Sequence, residues 1–350
     1  MACRSGTSLA ICRRPPSSVL TRQARTRWSG QSSDPVVSSA RSRGWMERTD
    51  MTRASASGRA NGPSGLLRRV VTLAAACLIA GGCGPRRLAP DMKLMRENLP
   101  DRFDDRDWAV VLRENVRDNL VDYDHLQDHR APLERFLAYI SVVGPFKTPP
   151  QFRTSQERTA YWINCYNALV LRFVLEQYPT ETAYPVVGPN LEYDFAFPVD
   201  GQPMTLHDVE VRALRDSQED VRVLFCLCAA AKGCPPLQAE PFRGPDLPRR
   251  LRLAAQQAMA DPNIVRRDDV DQRLLVWMTL LTRQAEFIRY YERTKATTGA
   301  TLINVLLDFA DPQTRRLIHS AEDYDLGVIP FDRRLNRWEP PPKVDETGSD

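Results

Sequence analysis

The sequence predicts an α+β fold: a single domain, mostly helical around a small, largely antiparallel sheet. Three observations lead there. Several segments carry apolar residues at spacings of three and four, the repeat of one helix face. An Asp-Gly pair, Asp200-Gly201, sits between two short β-prone runs and reads as a tight hairpin. Between them in character is the run Val221-Arg222-Val223-Leu224-Phe225-Cys226-Leu227-Cys228. Its near-continuous apolar character predicts a strand over 221–229 with both faces covered.

The elements follow in order. Trp108 to Asn119 has apolar residues at 108, 110, 111, 112 and 116 and reads as a helix, followed by Val121-Asp122-Tyr123. A second helix is expected over 131–143, where Leu133, Phe136, Leu137 and Ile140 share a face, until Pro145, Pro149 and Pro150 break it. Thr154-Ser155-Gln156-Glu157 has the form of a capping box, with Thr154 as cap and Glu157 reaching back. The helix it opens is apolar all round from Ala160 to Leu171, so it is expected to be buried at the centre. The hairpin 195–199 and 202–205 carries Pro198 and Pro203, which mark it as an edge. A short helix through Arg215 begins at Thr205 or Leu206. Beyond the expected strand come a loop over 230–237, a helix over 246–260, a hairpin of 263–265 against 274–276, helices over 279–292 and 300–309, and a short strand over 328–332.

This domain spans 107–338. A Pro-containing, mixed-charge stretch over 84–106 reads as a tether, and 339–350, with Pro340-Pro341-Pro342, as a disordered tail. No internal repeat is present.

Charge is divided unevenly. Residues 1–69 hold 13 Arg, no Lys and three acidic residues, whereas 84–350 hold 35 basic and 41 acidic residues. The body is mildly acidic and has no basic stripe of the kind a nucleic-acid groove needs, so no nucleic-acid partner is expected. The basic end leads into a recognisable signal over 66–83. Arg68-Arg69 precede 11 apolar residues, Val70 to Ala80, and then Gly81-Gly82-Cys83. That core is too short to cross a bilayer as a helix, which takes about 20 residues, and has the layout of a secretory signal. Small residues before a cysteine resemble a bacterial lipobox, in which Cys83 takes lipid and becomes the mature N-terminus. The resemblance implies a membrane-anchored lipoprotein of the cell envelope, facing the periplasm. Gly84 stands where an Asp would resemble an inner-membrane retention signal, which points to the outer membrane. Residues 1–65 read as a disordered extension or as a mis-assigned start, with Met46 and Met51 nearer the signal.

Export leaves four cysteines in the body, Cys165, Cys226, Cys228 and Cys234, in a compartment where close pairs bond. Cys234 lies in Ala230-Ala231-Lys232-Gly233-Cys234-Pro235-Pro236-Leu237. Three readings stand side by side: a structural residue of a proline-fixed turn, one half of a disulfide to Cys228 or Cys226, and a nucleophile. A thiol nucleophile needs a base. Of the four histidines, His125, His129, His207 and His319, His207 is nearest in sequence. Cys226, Cys228 and Cys234 form C-x-C-x5-C, which lacks the paired spacing of structural zinc sites, so no metal and no cofactor is expected. A polar set completes the candidates: Asn164 and Asn167, three apart on the buried helix, with Glu210 and Arg215. Asparagines left unbonded in a core cost about 1–3 kcal/mol each. They therefore hold a neighbouring loop through backbone bonds, or they line a pocket.

Several of these blocks together resemble one family. Tyr161-Trp162-Ile163-Asn164-Cys165-Tyr166-Asn167-Ala168-Leu169, Val121-Asp122-Tyr123, Leu206 to Arg215, Lys232 to Leu237 and Phe331 to Asn336 are similar, in order, to blocks of the domain of unknown function 547 family. The resemblance spans 108–338. It carries no settled activity. The chain also departs from the family: Val211 and Leu224 stand where the family often has histidine, and Ala229 where it usually has a first cysteine.

Two functions are expected. The first is a non-catalytic binding or scaffold module of an envelope assembly, with a cell-envelope protein or glycan as partner. The second is a thiol-dependent hydrolase or transferase acting on amide bonds of peptide or peptidoglycan, with Cys234 as nucleophile, His207 as base and Asn164 or Asn167 orienting the substrate. The missing family histidines favour the first.

Overall fold

The structure, a computed structural model, describes residues 86–95, 99–182 and 195–341. The leader, Cys83, the segment 183–194 and the tail from 342 lie outside the described residues, so the expected signal and lipid site do too.

Helix α1 (Arg106–Asn115) is followed by a two-residue hairpin, β2 (Val116–Arg117) with β3 (Leu120–Val121), and so ends earlier than its apolar spacing predicts. The Asp122 carboxylate accepts from the His125 amide and starts a short helix, α2 (Tyr123–Asp128), which sequence reading did not find. Helix α3 (Ala131–Val142) stops before the proline cluster. Helix α4 (Ser155–Gln177) opens on the Thr154–Glu157 capping box, and Thr159 through Leu171 are all buried. It is the axis of the domain, with α3 and the hairpin β4 (Phe195–Val199) and β5 (Gln202–Met204) packed nearby. Helix α5 (Leu206–Asp216) makes its most extensive contact with α4.

The hairpin turn is more than a connector. Asp200 (φ +52°) and Gly201 (φ +72°) both take the left-handed conformation that a tight two-residue turn requires. Their amides donate to the Ile140 and Ser141 carbonyls at the end of α3, each at 2.8 Å. The Asp200 carboxylate then accepts from the Phe146 and Lys147 amides at 2.7 and 2.8 Å. Burial holds this carboxyl above its ordinary range, while the two amides pull it down.

The expected strand over 221–229 is not a strand. Val221–Cys226 is a 3₁₀-helix, started by the Asp220 carboxylate accepting from the Arg222 amide. The physical reason lies in its neighbours. Val223 and Cys226 belong to the core around α4, whereas Val221, Leu224 and Phe225 belong to a second core. A segment wedged between two cores is apolar on every side without a sheet to enter, and a short apolar run does not distinguish the two cases.

The second core is built from α6 (Leu247–Met259), the strands β6 (Val265–Asp268) and β7 (Arg273–Val276), helices α7 (Met278–Thr282), α8 (Gln284–Lys295), α9 (Leu302–Phe309) and α10 (Pro312–His319), and β8 (Asp325–Val328). The helix expected over 279–292 is broken at Arg283. The late strand falls three residues earlier than expected and runs parallel to β7, with Val276 opposite Val328. The α+β class stands, with strands in separate small sheets rather than one. β1 (Arg86–Arg87), β4 and β5 form one, β2 and β3 another, and β6, β7 and β8 a third. Within the stretch read as a tether, Arg86 and Arg87 pair with β4 and Phe103 packs among Phe136, Tyr139, Phe152 and Tyr161.

Replacing Asp200 by alanine orphans two amides and loses a residue tolerant of positive φ. The expected loss is about 1–3 kcal/mol of unfolding free energy, with Asp200→Asn closer to the parent, read as denaturant midpoints.

Candidate functional site

The two asparagines of α4 face the segments that enter and leave the Cys-Pro-Pro loop. Asn167 Nδ2 donates to the Cys226 carbonyl and its Oδ1 accepts from the Cys228 amide, both at 2.9 Å. Asn164 Nδ2 donates to the Phe242 carbonyl at 2.8 Å, and its Oδ1 accepts from the Phe242 amide at 3.0 Å and from Trp108 Nε1 at 3.2 Å. Each side-chain amide thus plays the part of a neighbouring strand's peptide. With the two residues 1% and 3% exposed, neither has an unused polar atom facing solvent.

The loop is gripped again from the C-terminal segment. Lys232 and Gly233 amides donate to the Arg334 and Asp332 carbonyls, and the Asn336 amide donates to the Ala230 carbonyl, at 2.9 to 3.0 Å. Ala231 bridges Leu335 in antiparallel fashion. Gly233 is required here because a Cβ would lie 2.8 Å from the Asp332 amide nitrogen. Asn336 Nδ2 also donates to Cys228 Sγ at 3.4 Å, while its Oδ1 accepts from the Tyr123 hydroxyl at 2.7 Å.

None of the four described cysteines is joined to another in a disulfide, and all four are buried. The disulfide reading of Cys234, to Cys228 or to Cys226, is therefore not the one the structure shows. The chain instead places Cys228 Sγ against the Asn336 amide. Burial pushes the Cys228 thiol up to about 11, with the Ala230 and Leu237 amides and Asn336 pulling it down. Burial pushes the Cys226 and Cys165 thiols up as well. Cys234 is 7% exposed, its amide donating to the Ala231 carbonyl in the turn.

His207 lies in the first turn of α5, which opens on a Thr205–Asp208 capping box. Asp216, at the far end of α5, accepts from Arg158 and from Trp162 Nε1, near the start of α4. The C-terminal end of α5 is thereby held at the start of α4.

Glu210 and Arg215 do not join the asparagines. Glu210 Oε1 accepts from Arg283 at 2.5 Å, tying α5 to the α7–α8 break. Arg215 is exposed on an open groove of about 640 Å³ shared with Arg289, Tyr290 and Arg293 of α8. The four residues grouped by the sequence reading thus belong to two faces.

Sequence reasoning missed a cleft of about 580 Å³ beside the Asn164–Phe242 pair. Phe103, Phe152, Tyr161 and Phe242 line it, with Arg153 and Glu157 among its charged residues. Gln151 also lines it, and Gln151 Oε1 is buried with no hydrogen-bond partner among the described residues. Its residues come from 101–105, 150–161 and 242–245, too scattered for periodicity to gather.

Residues 150–257 match the family model described as Protein of unknown function, DUF547. The match covers α4, the β4–β5 hairpin, α5, the 3₁₀-helix, the Cys-Pro-Pro loop and most of α6, which is the part of the chain that contains both asparagine clamps. No curated protein and no solved structure matches the chain.

Replacing Asn167 by leucine leaves the Cys226 carbonyl and the Cys228 amide buried and unpaired. The expected cost is about 1–3 kcal/mol for each group, measured by chemical unfolding. The raised Cys228 thiol gives a pH signature. Its neutral form contributes stability that is complete below the ordinary value of 9.0 and lost as pH rises toward 11. Cys228→Ser should flatten the stability curve in that window.

Proposed function

We propose that the chain is a non-catalytic binding module of the bacterial cell envelope, exported and held at the membrane through lipid on Cys83. Its partner is an envelope protein or glycan, seated in the aromatic-lined cleft beside Phe242. The observation that carries this reading is the burial of Cys234 in a loop whose flanks are hydrogen-bonded from three directions. A nucleophilic thiol must meet substrate and exist as thiolate, and burial among apolar groups opposes both. Asn164 and Asn167 are committed to backbone bonds, which leaves them no amide group to present to a substrate. The cleft has the mixture that small-ligand and peptide sites use: apolar and aromatic walls, a few charges, and one buried acceptor at Gln151.

The second reading, a thiol-dependent hydrolase or transferase of peptide or peptidoglycan amide bonds, draws on one observation. Cys234 stands in a loop held by backbone bonds at Lys232 and Gly233, the fixed placement a nucleophile would need.

Labelling with a thiol reagent separates the two. The full-length protein, purified in detergent without reductant, is treated with iodoacetamide and the sites are mapped by mass. Under the binding reading Cys234 reacts only after unfolding, at the rate of Cys165. Rapid labelling of native Cys234, with a rate that His207→Ala lowers, would establish the hydrolase reading in its place.

A further inference from the structure

We propose that His125 and His129 form a two-imidazole chelate for a late divalent transition-metal ion, Cu²⁺ before Ni²⁺ or Zn²⁺. This goes beyond the partner-binding reading and uses none of the residues of the loop or the cleft.

The two histidines stand four apart, one in α2 and one at its C-terminal cap, the spacing that puts side chains on one side of a helix. Their rings stack with centroids 4.2 Å apart and planes 18° from parallel. What each ring nitrogen carries follows from its neighbours. His129 Nδ1 lies 3.0 Å from the His125 carbonyl oxygen. A carbonyl only accepts, so His129 Nδ1 holds the hydrogen and Nε2 the lone pair. His125 Nδ1 lies 2.8 Å from Asn115 Oδ1. The Asn115 amide is itself oriented, because its Nδ2 donates to the Val111 carbonyl at 2.7 Å and the residue is 2% exposed. Asn115 Oδ1 is therefore the acceptor, His125 Nδ1 the donor, and His125 Nε2 the lone pair.

Both imidazoles are thus fixed in the Nε2 lone-pair tautomer by hydrogen bonds to the other nitrogen. That is the arrangement by which proteins orient metal-binding histidines and raise their basicity. In the stack the two lone pairs lie in nearly parallel planes, so a late transition metal bonding both nitrogens at about 2.0–2.1 Å requires the exposed His129 ring to swing out of the stack and exchange its Nδ1 bond to the His125 carbonyl for the metal. Glu114 and Asp128 line the same open pocket as His129, with Glu114 paired to Arg113 at 3.3 Å and Arg130 paired to Glu134 at 2.8 Å. Among the described residues no three or more His, Cys, Asp or Glu side chains converge as a metal-holding group. The remaining coordination positions therefore fall to water. With two nitrogen donors the order among metals follows the general rise to Cu²⁺.

The test is a Cu²⁺ titration of the full-length protein, purified in detergent with no histidine tag, followed by calorimetry and by electron paramagnetic resonance. The expected result is one tight Cu²⁺ whose spectrum shows coupling to two imidazole nitrogens. His125→Gln and His129→Gln should each weaken it by about tenfold or more, and Asn115→Leu by about ten- to hundredfold through loss of the ring's orientation. His207→Gln and His319→Gln should leave it unchanged. His129 is an exposed ring at a helix end, so His129→Gln keeps the test decisive should Asn115→Leu unfold, and thermal melts monitor this. A parent protein that binds Cu²⁺ no more tightly than the His125→Gln/His129→Gln double variant, or whose spectrum shows fewer than two imidazoles, overturns the proposal.

Discussion

The side-chain amides of Asn164 and Asn167 are the constraint on which the rest of the domain depends. They stand three residues apart on a helix that is buried on every side. Between them they satisfy two amides and two carbonyls of a chain that passes through the core without a sheet to join. A buried backbone group must find a partner, and here α4 supplies one from its side chains. The 3₁₀-helix before Asn167's partners and the α6 helix after Asn164's partner are thereby spaced against α4. The second core is then built on that 3₁₀-helix and α6. A helix thus performs the bonding of a strand, and this is why an apolar run that reads as a strand has no strand to pair with.

The same constraint decides what the Cys-Pro-Pro loop can do. Asn167 holds its entry, the 332–336 segment holds its middle through Ala230, Lys232 and Gly233, and Asn164 holds its exit at Phe242. A loop fixed at so many points is a rigid corner. Rigidity favours precise placement of a thiol, yet at the loop's entry burial pushes the Cys228 thiol up to about 11. The three amide donors around Cys228 would suit a thiolate, yet burial outweighs them. Cys234 is 7% exposed, whereas open clefts among the described residues lie at Phe242, at Arg215 and at His129.

What the sequence revealed follows a physical rule. Elements with a long apolar period or a complete cap were legible: α3, α4 with its Thr154–Glu157 box, the Asp200-Gly201 hairpin, and α6. Short helices defined by a single Asp cap and few apolar residues were not. α2 begins at Asp122 and α10 at Asp311 followed by Pro312, and in each the cap was the whole signal. Glu210 and Arg215 were set beside the asparagines as one polar cluster, but Glu210 turns to Arg283 and Arg215, five residues on and on another face, to an open groove. The need of Asn164 and Asn167 for partners was legible from burial alone. Which partners was not, because Phe242 lies 78 residues from Asn164 and nothing local connects them.

The C-terminal segment shows how far such coupling extends. Asn336 accepts from the Tyr123 hydroxyl and donates to Cys228 Sγ, and its amide bonds Ala230. Tyr123 is the first residue of α2, two before His125. One buried asparagine therefore joins the short helix that carries the stacked histidines to the loop that carries the buried thiols. α2 has only six residues, too few to be stable as an isolated helix, and its order derives from Asp122, Tyr123 and the packing of Leu126. An ion bonded to both imidazoles would cross-link the helix across its last turn, adding a constraint at the end opposite to Tyr123. The histidine pair and the Cys-Pro-Pro corner are separate in chemistry, and they are joined through the backbone of α2 and the Tyr123–Asn336–Cys228 contacts.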